Sequence, residues 1–391
     1  MITVVHVITQ LELGGAQENT LYTCGHLDRT EFRVVLAYGP GGILDGEAKR
    51  LPCTTIAPLP HLVRELDPLN DSRCLMDLVK LFRAENRGGH HVIVHTHSSK
   101  AGILGRLAAR IAKVPHVVHT IHGFGFFSGQ HPLKHAFFVE AERAAGRGTD
   151  AFICVSKANL AEARARGIIR PHQPVHVIRS GMPLSLYRGL NARRDQARAS
   201  LSVAADRDVI LFIGNFKPQK DPLTLIRAMR EVATQRPQAT LLMAGDGELR
   251  PAVEAEIRRL ALESNVRLLG WRDDIPELLA AADVVALSSL FEGLPRSAVQ
   301  AIAAGRPFVG TRVDGTTEII RHGKNGFLVE PRSPAKLARA LVEALVRRPV
   351  DPEDAERILA WDADKMVEAQ AELYRALVKQ RSEPVARYAA R

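Results

Sequence analysis

Aromatic side chains are scarce, 5% of the 391 residues, which argues against a carbohydrate-binding module built from stacked rings. Cysteine is as sparse: Cys24, Cys53, Cys74 and Cys154 lie far apart and share no paired ligand spacing. A disulfide framework and a zinc cluster are therefore not expected, and the usage fits a reducing compartment. No apolar run approaches the roughly 20 residues that span a bilayer. The first residues read as a strand, TVVHVIT, without a basic n-region or a small-residue cleavage site. The expected location is the cytoplasm, with any membrane contact made at the inner face and without crossing. Chemical signatures are missing too. There is no Gly-x-Ser-x-Gly elbow, Gly-Lys-Ser phosphate loop, His-Glu-x-x-His helix or kinase set, which weakens hydrolase, ATPase and metalloenzyme readings.

What is present describes a globular α/β protein: 46% hydrophobic and 25% charged residues, in a chain long enough for two cores. The formal charge of +10 favours anionic partners, whether nucleic acid, anionic lipid or nucleotide phosphate. No nucleic-acid module or aromatic platform accompanies the charge, so no nucleic acid is expected. In KAGILGRLAARIAK, Arg106, Arg110 and Lys113 recur at helical spacing between apolar residues. That pattern reads either as a face for an anionic membrane or as an ordinary solvated helix.

Short β-branched runs alternate with helical patterns along most of the chain. Strands are expected at 3–9, 33–38, 91–96, 116–120, 151–156 and 175–178, with helices near 16–27, 73–84, 99–112, 133–145 and 157–166. A second cycle begins at 208–216 and continues through strands at 239–245, 266–270, 283–289, 307–311 and 326–329 to a helix over 334–347. Near-continuous apolar strands with intervening helices indicate parallel sheets covered on both faces. The economical fold is α/β with two Rossmann-like domains, 1–180 and 207–350. Residues 181–206, polar and carrying Arg188, Arg193, Arg194 and Arg198, read as a solvated linker. The tail 351–391 contains an amphipathic segment that caps the second domain or returns to the first, and its end, SEPVARYAAR, is expected to fray.

The chemistry concentrates in Glu292 to Glu318, EGLPRSAVQAIAAGRPFVGTRVDGTTE. It holds an isolated carboxylate and two helix starts, each able to direct free N–H groups at an anion. After the first strand, LGGAQ with Gly14 and Gly15 reads as a structural turn or as a ligand-facing loop. His97 and His122 lie just beyond strands, where open parallel sheets place their sites, while His95 and His119 lie within strands and point to packed faces. For His97 a satisfied hydrogen bond at the sheet edge is an equal reading. In GNFKPQKDP, Gly214, Asn215, Lys217 and Lys220 precede a Pro-started helix; a lysine there can neutralise a diphosphate, or the lysines are simply solvated. Gly245, Asp246 and Gly247 look like close-approach turn residues.

Taken in order, LGGAQ, HTH, HTIHGF, VSK, GNFKPQKDP, AGDGELR, the 266–320 block and NGFLV resemble glycosyltransferase family 4, whose members depend on nucleotide sugars. The resemblance implies the GT-B fold, two Rossmann-like domains facing across a cleft, and retaining transfer to a lipid-linked or polysaccharide acceptor. It implies that Gly15 approaches the diphosphate and acceptor, that His122 contacts the donor sugar and that Lys220 holds the diphosphate. Glu292 would bind sugar hydroxyls beside the backbone of Gly293, Leu294 and Pro295, with Gly214 in the loop ahead of the lysine. Two positions depart from the family pattern. Gln300 replaces a second glutamate near the ribose and supplies no charge, which makes Glu318 the better ribose candidate. Asn215 replaces an arginine, removing a cationic fork from the phosphate site. Nothing in the pattern requires a metal or other cofactor, since N–H groups and lysines can take that role. A sugar-nucleotide epimerase and a non-catalytic nucleotide-sugar-binding protein of the same fold are the alternatives.

Overall fold

The computed structural model of the chain describes residues 1–12, 14–88, 91–126, 131–313 and 315–382. Leu13 of LGGAQ, Asp314 of DGTTE and the expected frayed end at 383–391 lie outside the described residues. The chain divides into two compact units, Met1–Gly181 with Ala363–Arg391, and Met182–Asp362.

The first unit carries a parallel sheet of seven strands: β1 (Ile2–Gln10), β2 (Phe32–Gly39), β3 (Thr54–Pro58), β4 (His91–His97), β5 (His116–Ile121), β6 (Ala151–Cys154) and β7 (Val175–Val177). Their order is β3-β2-β1-β4-β5-β6-β7, so the sheet reverses direction of growth between β1 and β4. Val4, Val5, Val7 and Ile8 are buried on both faces of β1, as a helix-covered parallel strand requires. The register pairs His6 with His95, which sets two imidazoles side by side in the core. β3 has no counterpart in the sequence reading. It is short, half-buried and ends on Pro58, features that suit only a sheet edge.

The helix Ser99–Ile111 corrects one expectation. Arg106 is 1% exposed, donates from Nε to the Gly102 carbonyl at 2.8 Å and forms an ion pair with Glu142 of the helix Pro132–Gly146. It faces the core and not a membrane, because a carboxylate 36 residues away meets its guanidinium. Arg110 and Lys113 remain exposed.

The second unit carries β8 (Val209–Ile213), β9 (Thr240–Ala244), β10 (Val266–Gly270), β11 (Val284–Leu287), β12 (Phe308–Thr311) and β13 (Gly326–Val329). All pair in parallel in the order β10-β9-β8-β11-β12-β13, again reversing beside the first strand of the unit. Both units thus have the Rossmann strand order.

The segment 181–206 is not a solvated linker. Leu184, Tyr187, Leu190, Ala197 and Leu201 are buried in the core of the second unit. Its arginines serve the short helix Ile275–Ala281. Arg198 donates to the Ala281 carbonyl at 3.1 Å and Arg194 to the Ala282 carbonyl at 3.1 Å, while Arg306 takes those of Leu279 and Ala280 at 3.0 and 3.1 Å. The carbonyls that a helix leaves unpaired at its C-terminus are therefore all met by guanidinium groups, which also complement the negative end of its dipole. Asp283, 4% exposed, balances the cations through Arg194 at 2.6 Å and Arg198 at 2.7 Å. Arg193 pairs with Glu277 of the same helix; Arg188 is exposed.

The tail read as one piece belongs to two units. Ile358 and Trp361 join the second core, whereas the helix Ala363–Ser382 packs on the first. Met366, Val367, Leu373, Tyr374 and Leu377 enter a cluster with Val4, Leu21 and Phe32. Each such apolar burial stabilises by about 1.5–3 kcal/mol, so the last helix is a structural part of the first unit.

Candidate functional site

In the second unit the candidate residues gather where strand order reverses, at the C-terminal ends of β8, β11 and β12. The loop after β8 carries Gly214, Asn215, Lys217 and Lys220; the loop after β11 carries Ser288, Ser289 and Glu292. Lys220 Nζ donates to Glu292 Oε1 at 2.5 Å, and Ser289 Oγ donates to the same oxygen at 2.5 Å. Glu292 is 5% exposed, so its charge is held by a cation and a hydroxyl instead of bulk water. Ser288 Oγ donates to the carbonyls of Lys220 and Asp221 at 3.0 and 2.7 Å, and the Leu290 N–H donates to the Gln219 carbonyl at 2.8 Å. These bonds tie the two loops together. Asp221, in the left-handed region at φ +42°, caps the helix Pro222–Gln235 by accepting from the Thr224 N–H at 3.4 Å, takes the Thr224 hydroxyl at 2.7 Å as well, and so fixes the exit of the lysine loop.

The loop after β12 closes on the same place. Thr311 Oγ1 donates to the Ser289 carbonyl, and a Cβ on Gly315 would lie 2.1 Å from the Gly293 carbonyl oxygen. Only glycine permits that approach. The helix Arg296–Ala303 begins directly after Pro295 with no side-chain cap, and its Ala298 N–H turns back to the Pro295 carbonyl at 3.1 Å. The second helix start, Thr316–Ile319, is a single turn and offers far less dipole. Glu318 lies half-buried on that turn. Gln300 is 7% exposed and donates from Nε2 to Tyr187 Oη at 2.9 Å, so the amide expected at a ribose holds the 184–187 turn to its helix. Asn215 is half-buried and Lys217 exposed, and among the described residues Lys217 has no ion pair, unlike Lys220.

In the first unit the candidates lie at the ends of β1, β4 and β5. Gly15 opens the helix Gly15–His26 directly after β1. His97 Nδ1 and His122 Nε2 are 3.1 Å apart, and His97 Nε2 is 3.0 Å from His6 Nδ1, which makes a hydrogen-bonded line of three imidazoles. His95 spends both nitrogens elsewhere, on Tyr374 Oη at 2.6 Å and Thr120 Oγ1 at 2.7 Å. Beside His97 and His122 is a cavity of about 10 Å³ bordered by Asn19, Thr20, Thr120 and Gln370, room for one water. Burial pulls His122 down to about 4 from its ordinary value near 6.5, and burial with the Arg29 charge pulls His6 to about 3. His95, His97 and His119 are held well below the ordinary range by burial first and by neighbouring cationic or titratable groups second. All five are neutral near pH 7.

His6, His95 and His97 are the one cluster of metal-capable side chains among the described residues, with ring nitrogens within 4.8 Å of one another. A cation there would have to displace one of the bonds of His95, to Tyr374 or to Thr120, and the proton between His6 and His97. No carboxylate belongs to the cluster to offset its charge. Sequence reasoning passed over His6, Ser289 and Tyr187. A histidine inside the apolar run TVVHVIT was the available signal for the first; the others depend on partners distant in the chain.

Residues 13–186 match the family model described as Glycosyltransferase Family 4, and residues 207–347 match Glycosyl transferases group 1. The chain is 30% identical over 348 residues to an Escherichia coli UDP-Gal:alpha-D-GlcNAc-diphosphoundecaprenol alpha-1,3-galactosyltransferase, covering 87% of each protein. It is 30% identical over 296 residues to the putative glycosyltransferase EpsD of Bacillus subtilis, covering 73% of this chain and 76% of the other. Among solved structures, Anabaena HepE with UDP and glucose superposes with a TM-score of 0.81 at 22% identity, over 96% of this chain and 100% of that one. Sucrose-phosphate synthase from Thermosynechococcus elongatus gives a TM-score of 0.83 at 22% identity, over 97% of this chain and 100% of that one. These two likenesses establish the fold.

Proposed function

The chain belongs to glycosyltransferase family 4, with the GT-B fold and dependence on a nucleotide sugar, and from that premise we propose that it transfers a hexose with retention from a uridine diphosphate donor to a lipid-diphosphate-linked saccharide. The observation that carries this reading is the Lys220–Glu292 pair at the strand switch of the second unit. It joins a cation suited to a diphosphate and an acceptor carboxylate suited to sugar hydroxyls. The donor and acceptor classes are supported by the E. coli relative, which shares 87% of its length with this chain.

In this reading the diphosphate lies against Lys220 and the uncapped start of the helix Arg296–Ala303, with the backbone of Gly214, Gly293, Leu294 and Pro295 alongside. Glu292 accepts hydroxyls of the sugar, Glu318 lies toward the ribose, Gln300 steadies the helix beside it through Tyr187, and Asn215 beside the lysine loop adds a neutral amide where a guanidinium is absent. Gly15 lets the first loop approach the diphosphate and acceptor, and His122 meets the transferred sugar. The departing diphosphate gathers negative charge as the sugar–oxygen bond lengthens; Lys220 and the helix start stabilise it, and it accepts the proton of the incoming hydroxyl. The protein supplies position and charge stabilisation, which accounts for a site without an evident general base. Lys220 and the N–H groups give the diphosphate its countercharge, so donor binding is proposed to be independent of metal.

A peripheral contact with an anionic membrane is part of the proposal. The adjacent helices Ser99–Ile111 and Pro132–Gly146 leave Leu107, Ile111, Leu133 and Phe137 exposed, with Arg110, Lys113 and Lys134 also at the surface. Apolar side chains among cations suit a headgroup boundary. A panel of nucleotide sugars, incubated with a lipid-diphosphate-linked saccharide and read by mass spectrometry, tests the reaction. An epimerase would alter the donor without needing the acceptor.

A further inference from the structure

His122 is the last member of a buried line of imidazoles, and the line has a direction. Each ring is neutral, because burial and, at His6, the Arg29 charge disfavour an added proton. A neutral imidazole has one N–H and one lone pair, so the two contacts, His6 Nδ1 with His97 Nε2 at 3.0 Å and His97 Nδ1 with His122 Nε2 at 3.1 Å, allow two concerted proton arrangements. In one, each Nδ1 carries the hydrogen: His6 donates to His97, His97 donates to His122, and His122 presents Nδ1–H. In the other, each Nε2 carries it and every bond reverses.

The far end of the line decides between them. His6 is fully buried and its Nε2 has no hydrogen-bond partner among the described residues. The second arrangement would put an N–H at that atom, a buried donor with nothing to accept it. The first leaves only a bare lone pair there. An orphaned buried N–H is the rarer and costlier defect, so the Nδ1–H arrangement is favoured throughout. His122 is the partly exposed ring of the three, and among the described residues its Nδ1 has no protein partner.

We propose that His6 and His97 are positioning residues that lock His122 as its Nδ1–H tautomer, so that it offers a hydrogen-bond donor, and not a base, to an oxygen of the transferred sugar. This rests on the assignment of His122 to the sugar. It adds that the proton of the acceptor hydroxyl does not pass to His122, whose remaining lone pair is already committed to His97. Two residues without a role in the reaction thereby set the polarity of a third.

Nitrogen-15 spectra of the full-length protein labelled at histidine read the tautomers directly, with His122 assigned by loss of its signals in His122→Gln. The expected result is a protonated Nδ1 and a bare Nε2 at His122, His97 and His6; a protonated Nε2 at His122 overturns the proposal. In His97→Phe the lock is removed, and His122 is expected to shift toward the Nε2–H form. The turnover number for transfer should fall roughly 10- to 100-fold, the size typical of lost supporting-shell contacts. The donor KM and the affinity for uridine diphosphate should stay unchanged. A folded His97→Phe protein with an unaltered His122 spectrum contradicts the proposal. The wild-type spectrum decides even where the variant fails to fold. Transfer untouched by His122→Ala would instead contradict the assignment of His122 to the sugar, which separates the two failures.

Discussion

Lys220 Nζ lies 2.5 Å from Glu292 Oε1, joining two loops whose residues are 72 positions apart in the chain. With side-chain exposures of 17% and 6%, the pair is shielded, and each member satisfies the other. Donor binding then exchanges one set of charge-assisted contacts for another. Lys220→Met removes the cation and leaves a buried carboxylate with only the Ser289 hydroxyl. It should lower stability by about 3 kcal/mol and weaken uridine diphosphate binding at least tenfold. Glu292→Gln keeps the lysine and should bind the nucleotide diphosphate with near-native affinity while losing transfer by about 100-fold. Thermal melts and calorimetric titration of both variants check this; equal loss of nucleotide affinity in the two would contradict the division of labour.

The first unit should be sensitive to acid. His6, His95, His97 and His119 are buried and held neutral, with folded values depressed below the unfolded value near 6.5. The unfolded chain therefore binds more protons on the acid side. Their contribution is fully present above pH 6.5 and is lost as pH falls toward the folded values, about 3 for His6. Each ring costs about 1.4 kcal/mol per pH unit in that window, or roughly 5 kcal/mol per unit for the four together. Denaturant unfolding at pH 7, 6 and 5 should show a steep fall in stability with proton uptake on unfolding. A flat profile between pH 7 and 5 would mean that these rings are not buried neutral.

Arg198 should matter to the second unit out of proportion to its place in an arginine-rich stretch. It is 2% exposed and donates to Asp283, to the Ala281 carbonyl and to the carbonyls of Ala204, Ala205 and Arg207. Arg198→Met leaves those acceptors buried and Asp283 short of one cation, at a cost of about 3–5 kcal/mol. Exposed Arg188→Met should change stability by less than about 0.5 kcal/mol. Urea unfolding of the two variants distinguishes a structural arginine from a solvated one.

Membrane association should follow exposed residues and not Arg106. Replacing Leu133 and Phe137 with serine, together with Arg110→Gln, should reduce binding to vesicles containing anionic lipid, while neutral vesicles bind weakly throughout. Sedimentation with the two vesicle types measures it. Equal association with both, unaffected by the substitutions, would remove the membrane from the account.

Much of this molecule was legible from local pattern. The β-branched runs located twelve of the thirteen strands among the described residues, and His122, Lys220 and Glu292 stood out because they follow strand ends. What escaped depends on partners far along the chain. β3 was missed because a short run ending in Pro58 lacks a strand's usual signature. Arg194 and Arg198 looked solvated because Asp283 and the carbonyls of Ala281 and Ala282 lie more than 80 residues on. Arg106 looked superficial for the same reason, with Glu142 on another helix. Gln300 was read against a ribose, and its bond to Tyr187 could not be foreseen from a segment that resembled a linker.

The most direct test of the central claim is the anomeric configuration of the product. Incubated with an α-linked uridine diphosphate hexose and a lipid-diphosphate-linked saccharide, the wild-type protein should yield an α-glycosidic product by proton NMR, and Glu292→Gln should yield about 100-fold less. A β-linked product, or no transfer to the acceptor from any nucleotide hexose, would contradict the account.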